Sequence, residues 1–442
     1  MINIILLSGG SGKRLWPLSN DTMSKQFLRL LRNDNGEKES MVQRVFRQIK
    51  ETNINAKIVI ATGKNQLESI KSQLGEDTDV VIEPERRNTF PAILLASAYL
   101  KYVKGADDND TVLVLPVDPY AQNTYFETLL KMDKAIQDNT ADMTLMGIEP
   151  TYPSEKYGYI IPKDTDNEVK KVIRFQEKPN LETAKELLSS GAYWNAGVFG
   201  FKLSYIMNIL NQNITVNSFD ELYNRFSQLK KNSFDYEVVE KADSINMIPY
   251  KGEWKDLGTW NTLTEQMPSN HGNVVSGEGN ENVSVINVTD KPVVVLGMKN
   301  CVVVNSTEGI LVSDKEKSSY IKPYVENLND VRPLYEERRW GEYKVLETDE
   351  FESGTKSLTK HIVLRQGKSI SMQLHRHRDE VWTVIDGEGE LILDDEKSIV
   401  SKGKVIDIKA GHKHKITAIT DMHIIEIQLG DQLSEEDIER FD

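Results

Sequence analysis

Residues 6–19, LLSGGSGKRLWPLS, place three glycines directly after an apolar run. A P-loop would require glycine at position 7 and Ser or Thr at position 14, where this chain has Leu7 and Arg14. A dinucleotide-binding fingerprint would require a third glycine at the position of Leu15. The stretch is therefore neither of these phosphate loops, although it is a glycine-rich turn at the end of a predicted first strand.

The residue types of this turn suit a phosphate. Gly9, Gly10 and Gly12 allow backbone N–H groups to approach an anion closely. Arg14 and Lys25 supply positive charge for a phosphoryl group whose charge shifts during a reaction. A βα turn that merely favours glycine is the alternative, but three glycines with two cations favour a site for an activated triphosphate.

The first half of the chain alternates short apolar runs with amphipathic segments. Five runs have the length and composition of strands buried on both faces: INIILLS, AKIVIATG, DVVIEPE, TVLVLPVD and DMTLMGI. Between them, one helix is predicted after the N-cap Ser40 and another over residues 88–103. This alternation predicts a parallel α/β sheet, in which ligands bind at the carboxyl ends of the strands. The glycine turn and Asp118 would both lie at that edge.

The pattern of predicted secondary structure changes after about Gln266. Short β runs separated by turns, with no helix between them, predict a small stacked β-coil that serves as a spacer. From Arg338 onward the chain is almost all β, as in a small barrel, and it holds six of the seven histidines. We therefore predict three domains, at residues 1–265, 266–330 and 331–442.

Composition limits the partners. With 442 residues the chain can bury large cores, and a formal net charge of −14 argues against a nucleic-acid binder, so any anion site must be local. The single cysteine, Cys301, lies in an apolar run, which indicates a buried side chain and excludes an intramolecular disulfide. The start has no basic leader and no apolar run approaches the ~20 residues of a membrane span, so we expect a soluble, cytoplasmic protein with no membrane partner.

A second informative stretch, QLHRHRDEVW, begins at Gln373. On a strand, Gln373, His375 and His377 would share one face; Glu380 follows shortly after, and a later GHKH ends at His414. Imidazole and carboxylate ligands suit Zn²⁺, Co²⁺, Mn²⁺, Fe²⁺ or Ni²⁺, and the pattern does not choose among them. A solvated polar strand face is the alternative interpretation.

Seven blocks of the chain occur in a characteristic order: GGSGKRLWPLS…SKQFL, EPERRNTFPAI, LPVD, PTYPSEKYGYI, FQEKPN, WNAGVFGF and WKDLGTW. In order and approximate spacing, from about Ile4 to Trp260, they resemble mannose-1-phosphate guanylyltransferases. The resemblance implies a Rossmann-like, GT-A-like nucleotidyltransferase domain. It also implies that the phosphate of mannose 1-phosphate attacks the α-phosphorus of GTP and expels pyrophosphate, with no covalent enzyme intermediate.

The same resemblance implies roles for single residues. Asp118 and Asp256 would hold Mg²⁺, although a strand-end cap and a turn residue are their alternative readings. The implied catalytic residues are Arg14, Lys25, Asp118, Lys178 and Asp256. The implied nucleotide-binding residues are Leu7, Gly9, Gly10, Gly12, Lys13, Arg14, Arg87 and Asn88. The implied sugar-binding residues are Gly158, Glu177, Lys178 and Asn195. The chain departs from the family at Pro119, where the family commonly has histidine.

The last quarter resembles a cupin, specifically the C-terminal phosphomannose isomerase domain of bifunctional guanylyltransferase/isomerase enzymes. The family spacing places metal ligands on Gln373, His375, Glu380 and His414, and it leaves His377 off the ligand register. The implied cofactor is a divalent transition metal such as Zn²⁺ or Co²⁺, and the implied reaction interconverts mannose 6-phosphate and fructose 6-phosphate through a cis-enediol. Candidate phosphate anchors are Arg365, Arg376, Arg378 and Lys409.

Two other hypotheses stay open at this point. In one, the protein is a guanylyltransferase whose cupin is inactive. In the other, the cupin is a metal-dependent sensor or oligomerisation module that binds sugar phosphate without turnover. The sequence also leaves the formation of a homo-oligomer open.

Overall fold

The computed structural model describes residues 1–10, 12–20, 23–163, 167–267, 270–326, 328 and 333–441. Its contacts divide the chain into two compact units. The first unit comprises Met1–Ser11, Gln26–Ile70 and Glu76–Gly258, and the second comprises Gly12–Lys25, Lys71–Gly75 and Thr259–Asp442. Among the described helices, none is long and apolar enough to cross a membrane. The three predicted domain boundaries stay a prediction.

The first unit is built around a sheet with helices on its faces. Its strands are β1 (Ile2–Ser8), β2 (Leu31–Arg32), β3 (Lys38–Glu39), β4 (Ala56–Gly63), β5 (Val80–Glu83), β6 (Thr111–Pro116), β7 (Pro119–Ala121), β8 (Met143–Ile148), β9 (Tyr159–Pro162), β10 (Lys170–Gln176), β11 (Tyr193–Lys202), β12 (Ile245–Tyr250) and β13 (Trp254–Asp256). Its helices, with α2 reaching into the second unit, are α1 (Met41–Glu51), α2 (Leu67–Leu74), α3 (Thr89–Tyr102), α4 (Asn123–Gln137), α5 (Leu181–Ser189), α6 (Leu203–Asn213), α7 (Phe219–Asn224) and α8 (Phe234–Glu237).

Local sequence explains the two helices that were predicted. Ser40 caps α1 through a capping box with Gln43, and the apolar residues of α1 at helical spacing are buried. Helix α3 begins after the N-cap Asn88 and is apolar on almost every side. It is buried accordingly, in a core cluster that includes Ile93, Leu94 and residues of β1, β6 and β11. Both predictions are confirmed.

The main sheet is mixed, and the prediction of a parallel sheet is wrong in this respect. Its strand order in the described residues is β5-β4-β1-β6-β11-β8-β12-β10-β9. The five predicted strands are all present and run in the same direction. Two strands that were not among the five, β10 and β11, run antiparallel to their neighbours. The sheet is mixed because of these two strands.

Two short strands bring distant parts of the first unit together beside β6. After β6 ends, β7 pairs antiparallel with β13, so that Pro119 lies opposite Asp256. Proline has no backbone N–H, and the first residue of a strand is a position that tolerates this loss. The hairpin-like pair places Asp256 next to the residue that follows Asp118.

The C-terminal segment of the second unit, from Thr259 onward, begins with α9 (Trp260–Glu265) and the predicted β-coil. The strands of this coil are β14 (Val274–Ser276), β15 (Ser284–Asn287), β16 (Val293–Val295), β17 (Cys301–Asn305) and β18 (Ile310–Asp314). Strands β14 and β16 pair in parallel, β15 and β17 do the same, and β18 closes antiparallel on β17. A 3₁₀ turn at Lys317–Tyr320 and α10 (Lys322–Val325) follow. Cys301 is buried as predicted, and burial raises the pKa of its thiol.

The remainder of the second unit is an antiparallel double sheet. Its strands are β19 (Tyr335–Arg338), β20 (Gly341–Glu350), β21 (Lys356–Leu364), β22 (Gln373–Leu374), β23 (Arg378–Asp386), β24 (Glu388–Leu393), β25 (Glu396–Ser401), β26 (Val405–Ile408), β27 (His414–Ala418), β28 (Met422–Gly430) and β29 (Glu439–Arg440). The described strands form one sheet ordered β19-β20-β21-β28-β23-β26 and another ordered β25-β24-β27-β22-β29. The all-β barrel predicted from the sequence is thereby confirmed.

Two neighbouring strands of this barrel bury polar residues beside apolar ones. In β23, Trp382 and Val384 join the hydrophobic core, whereas Arg378 and Glu380 on the same face are buried polar residues. In β28, Met422 and Ile424 likewise belong to the core, and the next two buried residues are Glu426 and Gln428. The barrel interior therefore contains a buried polar region next to its hydrophobic core.

Candidate active site and candidate metal centre

A cavity of about 230 Å³ lies in the first unit. It is lined by Pro116, Asp118, Pro119, Lys156, Tyr157, Gly158, Glu177, Asn195, Ala196, Gly197, Asp235, Trp254 and Asp256. These residues come from the end of β6 and the residues after it, from β7, β11, β13 and α8, and from the segments that precede β9 and follow β10. The structure thus brings Asp118, Gly158, Glu177, Asn195 and Asp256 from five sequence blocks to one cavity.

The two aspartates predicted to bind metal both line this cavity. Asp118 and Asp256 are both half-buried. Their negative charges act on neighbouring tyrosines: burial and then the charge of Asp256 raise the pKa of Tyr157, and burial and then the charge of Asp118 raise that of Tyr125. The cavity lining therefore includes two hard oxygen ligands whose negative charge favours a cation.

The absence of a side chain at Gly158 leaves room for the Glu177 carboxylate. Only 4% of the Glu177 side chain is exposed, and a Cβ added at Gly158 would lie 2.5 Å from Glu177 Oε2 and 2.8 Å from the Phe175 ring. A side chain at position 158 would displace the carboxylate. The backbone of Gly158 also accepts a 2.8 Å hydrogen bond from Asn195 N, which joins the two sides of the cavity.

Lys178 lies beside Glu177 in an unusual backbone conformation. Its φ is 41°, in the left-handed region that a residue with a Cβ seldom adopts. Its Nζ is 2.6 Å from Glu177 Oε1. Burial lowers the pKa of Lys178, but the bond to Glu177 and nearby acidic groups outweigh burial, so the pKa is raised. The ammonium group therefore stays charged, and 54% of the side chain is exposed. Lys178 is not among the residues that line the cavity, although its neighbour Glu177 is.

Asp235 is a cavity residue that the sequence interpretation missed. It lies at the start of α8, outside the seven blocks. The available sequence signal was Ser233, a residue type that favours the start of a helix. Its Oδ1 accepts a 2.8 Å hydrogen bond from Asn195 Nδ2, while Asn195 Oδ1 accepts from Gly197 N at 3.0 Å. Burial, followed by the charge of Glu177, raises the pKa of Asp235 to about 6. Asn195 is therefore held at both ends of its amide.

The glycines after β1 leave open space. A Cβ added at Gly9 or Gly10 would meet no atom within 4 Å among the described residues. Gly10 has φ 131°, which explains its glycine by backbone conformation alone, whereas Gly9 has no such requirement. Leu7 forms part of β1 and is half-buried. The vacant space over Gly9 fits the predicted close approach of a phosphate.

The cations of the opening block belong to the second unit and differ in their surroundings. Arg14, on a 3₁₀ turn at Gly12–Leu15, is exposed, and the part of the chain that the structure describes offers it no ion pair. Lys13 Nζ donates to the Glu326 carbonyl at 3.1 Å. Lys25 is half-buried at the start of a second 3₁₀ turn. Of the three, Arg14 is the most exposed.

The two remaining nucleotide predictions have structural partners of their own. The guanidinium of Arg87 donates to the Leu229 carbonyl at 2.9 and 3.1 Å and pairs with Glu85 at 3.1 Å. Asn88, with φ 74°, accepts from Thr89 N at the start of α3. Their contacts stabilise the loop that precedes α3, and a role toward the nucleotide stays a prediction.

In the barrel, three of the four predicted ligands form one buried cluster. His375, Glu380 and His414 each offer an atom within 4.8 Å of the others'. The Nε2 of His375 is 3.2 Å from Glu380 Oε1, and that of His414 is 3.6 Å from Glu380 Oε2. Gln373 joins them, since its Nε2 lies 3.3 Å from His414 Nε2. All four side chains are buried.

Both Nε2 atoms face the cluster, and for His414 the hydrogen bond made by Nδ1 also fixes the neutral tautomer. His375 Nε2 lies 3.4 Å from an Arg378 guanidinium nitrogen and 3.2 Å from Glu380 Oε1. His414 Nδ1 lies 3.1 Å from the His412 carbonyl and therefore donates to it, which leaves its Nε2 unprotonated. Burial, followed by Arg378, lowers the pKa of His375 to about 3, and burial lowers that of His414. Both rings are chemically suited to bind a metal.

The predicted alternation of Gln373, His375 and His377 is wrong beyond His375. Strand β22 ends at Leu374 and β23 begins at Arg378, so the chain turns between them. His377 is exposed, whereas Arg378 is buried and donates to Glu380 Oε1 at 3.0 Å. Arg378 thus belongs to the cluster, a role that the sequence could not separate from a surface cation.

The other candidate phosphate anchors lie at the surface. Arg376 pairs with Glu439. Lys409 lies 2.9 Å from Asp407 and 3.2 Å from Asp379. Arg365 is exposed. Ion pairs at the surface contribute little, so these residues remain free to exchange partners.

Two family models match separate parts of the chain. A family model described as Nucleotidyl transferase matches residues 3–271, and one described as Mannose-6-phosphate isomerase C-terminal matches residues 329–442. The alginate biosynthesis protein AlgA of Pseudomonas putida is 30% identical, with 99% of this chain and 95% of that protein aligned. A mannose-1-phosphate guanylyltransferase of Escherichia coli is 29% identical, over 100% of this chain and 98% of that protein. A solved structure described as "mannose-1-phosphate geranyltransferase" from Thermus thermophilus is 25% identical with a TM-score of 0.61, covering 74% of this chain and 99% of that chain.

Proposed function

This chain belongs to the nucleotidyl transferase family, and on that premise we propose that it transfers GMP from GTP to mannose 1-phosphate, giving GDP-mannose and pyrophosphate. The observation that carries the proposal is the cavity that Asp118 and Asp256 line together with Glu177 and Asn195. A carboxylate pair for a cation and a set of hydroxyl-binding groups are what a phosphoryl transfer to a sugar phosphate requires. The relative of Escherichia coli is named for this reaction.

The protein's own groups would act by alignment and neutralisation. Glu177 would accept hydrogen bonds from the sugar hydroxyls in the space that Gly158 leaves for its carboxylate. Asn195, whose amide is bound by Asp235, would add a polar contact to the sugar. Lys178, which stays charged, would hold the sugar phosphate so that one of its oxygens faces the α-phosphorus in line with the leaving pyrophosphate. Arg14 would neutralise charge on the triphosphate.

Asp118 and Asp256 fit Mg²⁺. Two carboxylates lining one cavity are a typical protein contribution to a magnesium site, with phosphate oxygens and water supplying the rest. When bound there, Mg²⁺ would neutralise the charge of the phosphates and orient them.

The proposal is tested with the purified full-length protein, mannose 1-phosphate and Mg²⁺. Pyrophosphate release is measured with GTP, ATP, UTP and dTTP at equal concentrations. GTP is expected to be preferred, since the relatives over the full chain include a guanylyltransferase. Equal turnover with another nucleotide would contradict the choice of base, and no pyrophosphate with any of them would contradict the transfer itself.

A second activity is favoured by the buried cluster in the barrel: interconversion of mannose 6-phosphate and fructose 6-phosphate. The region matches the Mannose-6-phosphate isomerase C-terminal model. His375, Glu380 and His414, with Gln373, fit a divalent transition metal such as Zn²⁺ or Co²⁺, because both imidazoles are neutral and present Nε2. Such a metal would polarise the carbonyl and hydroxyl oxygens of the open-chain sugar.

The second activity has a direct test. The chelated full-length protein is incubated with mannose 6-phosphate while Zn²⁺, Co²⁺, Mn²⁺ or Mg²⁺ is restored singly, and fructose 6-phosphate is measured. Metal-dependent turnover that is lost in His375→Ala is the expected result. No turnover with any metal, in a preparation that still makes GDP-mannose, would leave a guanylyltransferase with an inactive or sensing cupin. A change of oligomeric mass with metal or sugar phosphate would then identify the sensor.

A further inference from the structure

The backbone just after Arg14 is held by hydrogen bonds from other residues of the second unit. Trp260 is fully buried and its Nε1 donates to the Trp16 carbonyl at 3.0 Å. Ser306 is also buried, and its Oγ donates to the next carbonyl, that of Pro17, at 3.1 Å. Two consecutive carbonyls are therefore each bound by a buried donor, two and three residues after Arg14.

The Trp16 side chain rests on the same part of the β-coil. A Cβ added at Gly309 would lie 2.6 and 2.8 Å from two atoms of the Trp16 indole ring. Gly309 also has φ 154°, which L side chains rarely adopt. Only glycine therefore allows the indole to lie this close to the turn at Ser306–Gly309.

This turn is also tied to the barrel. Glu308 Oε1 accepts from Leu334 N at 2.6 Å and from Tyr335 N at 3.3 Å. Leu334 packs against the hydrophobic core of the barrel. Ser306 Oγ in turn accepts from Glu308 N at 3.1 Å. One four-residue turn thus contacts the Trp16–Pro17 backbone on one side and the start of the barrel on the other.

We propose that the Ser306–Gly309 turn positions the Arg14 segment for GTP binding, with Ser306 and Gly309 as positioning residues. The region predicted to be a spacer then has a part in the transfer reaction. The physical reason is that displacement of a binding group by about 1 Å is enough to cost a large factor in rate or affinity. The inference rests on the proposed guanylyl transfer.

The test compares Ser306→Ala and Gly309→Ala in the full-length protein. Ser306→Ala deletes one donor, and we expect the KM for GTP to rise about fivefold. Gly309→Ala forces the indole away, and a rise of about tenfold or more is expected. The KM for mannose 1-phosphate should be unchanged, because the residues predicted to bind the sugar belong to other elements. A structural defect would instead lower activity for both substrates.

Thr307→Ala is the matched control. Thr307 lies in the same turn, and its side chain makes no hydrogen bond to any residue that the structure describes. Equilibrium dialysis with GTP is run beside the kinetics. If the wild type binds GTP but transfers nothing, the proposed function fails, and the inference is then decided by GTP affinity alone. If Ser306→Ala matches Thr307→Ala in GTP affinity, the inference is wrong. Should Gly309→Ala not fold, Ser306→Ala decides.

Discussion

Gly158 shows how one absent side chain shapes the sugar end of the cavity. A methyl group there would overlap the Glu177 carboxylate and the Phe175 ring. We expect Gly158→Ala to raise the KM for mannose 1-phosphate roughly tenfold, the equivalent of about 1.4 kcal/mol. The KM for GTP should stay the same, which steady-state kinetics with each substrate varied in turn will measure.

Gly63 provides the matched control for this substitution. It lies at the end of β4, its φ is not in the left-handed region, and a Cβ there would meet nothing within 4 Å among the described residues. Gly63→Ala should leave both KM values unchanged. Equal effects of the two substitutions would show that Gly158 has no special relation to Glu177.

Asp235 should make stability depend on pH. Its pKa is about 6 in the folded protein, against about 3.9 for an unfolded aspartate. Between these values the folded state binds a proton that the unfolded state has released. The free energy of unfolding therefore falls as pH rises from about 4 to about 6, by on the order of 2 kcal/mol, and stays lower above that range.

Asp235→Asn should remove this contribution. The variant keeps an oxygen that can accept a hydrogen bond from Asn195, but its amide does not titrate in this pH range. Urea unfolding of the wild type and the variant at pH 4 and pH 7.5 gives the difference of differences, which cancels the effect of the substitution that is independent of pH. The wild type should lose more stability over this interval, and an equal loss in both proteins would refute the pKa assignment.

At the scale of elements, Asn287 shows what holds the β-coil together. It is fully buried at the end of β15, and its Nδ2 donates to the carbonyls of Asn273 and Lys291 at 2.9 and 2.7 Å. Its Oδ1 accepts from Thr289 N and Asn305 Nδ2, both at 3.1 Å. The strands of the coil are short and form few backbone hydrogen bonds with one another. The Asn287 side-chain amide supplies additional hydrogen bonds between these segments.

Asn287→Ala should destabilise the second unit by about 3 kcal/mol, because it leaves buried backbone groups without partners. Urea unfolding followed by circular dichroism measures the change. Ser313→Ala is the comparison in β18, where the hydroxyl donates at the surface to the adjacent Asp314 carbonyl, and a change within about 0.5 kcal/mol is expected. A similarly small change for Asn287→Ala would mean that the coil is held by its apolar cluster alone.

At the scale of the whole molecule, the two chemistries depend on separate cores. The aspartate cavity is built on the sheet of the first unit, and the histidine cluster on the barrel of the second. Asp256→Asn is expected to lower guanylyl transfer by at least about 100-fold and leave metal binding by the barrel intact. His375→Ala should do the reverse. Asp77→Asn, an exposed aspartate, is the control for the charge change.

These variants are compared by pyrophosphate release and by thermal unfolding with and without Zn²⁺ or Co²⁺. A bound metal should raise the unfolding temperature of the barrel in the wild type and in Asp256→Asn, but not in His375→Ala. Loss of transfer in His375→Ala would show that the two units are coupled, and transfer at the wild-type rate in Asp256→Asn would remove that residue from the active site.

The features predicted from the sequence are those that depend on nearby residues, and the features that were missed depend on residues distant in sequence. Helix α1 and the five strands were predicted because capping residues and hydrophobic period are local. Strands β10 and β11, which make the sheet mixed, were not among the predicted strands, and their direction depends on neighbours that are distant in sequence. Asp235 was missed because its importance comes from the Asn195 amide, which is distant in sequence.

By itself, the sequence determined the alternation of apolar runs, the order of the blocks and the spacing of His375, Glu380 and His414. These are properties of the chain that need no knowledge of direction or contact. Only the tertiary structure decided that Arg378 enters the cluster while His377 points to solvent, and that the β-coil binds the Trp16–Pro17 backbone. Such features depend on which side chains are buried against which neighbours, and burial is a property of the packed molecule.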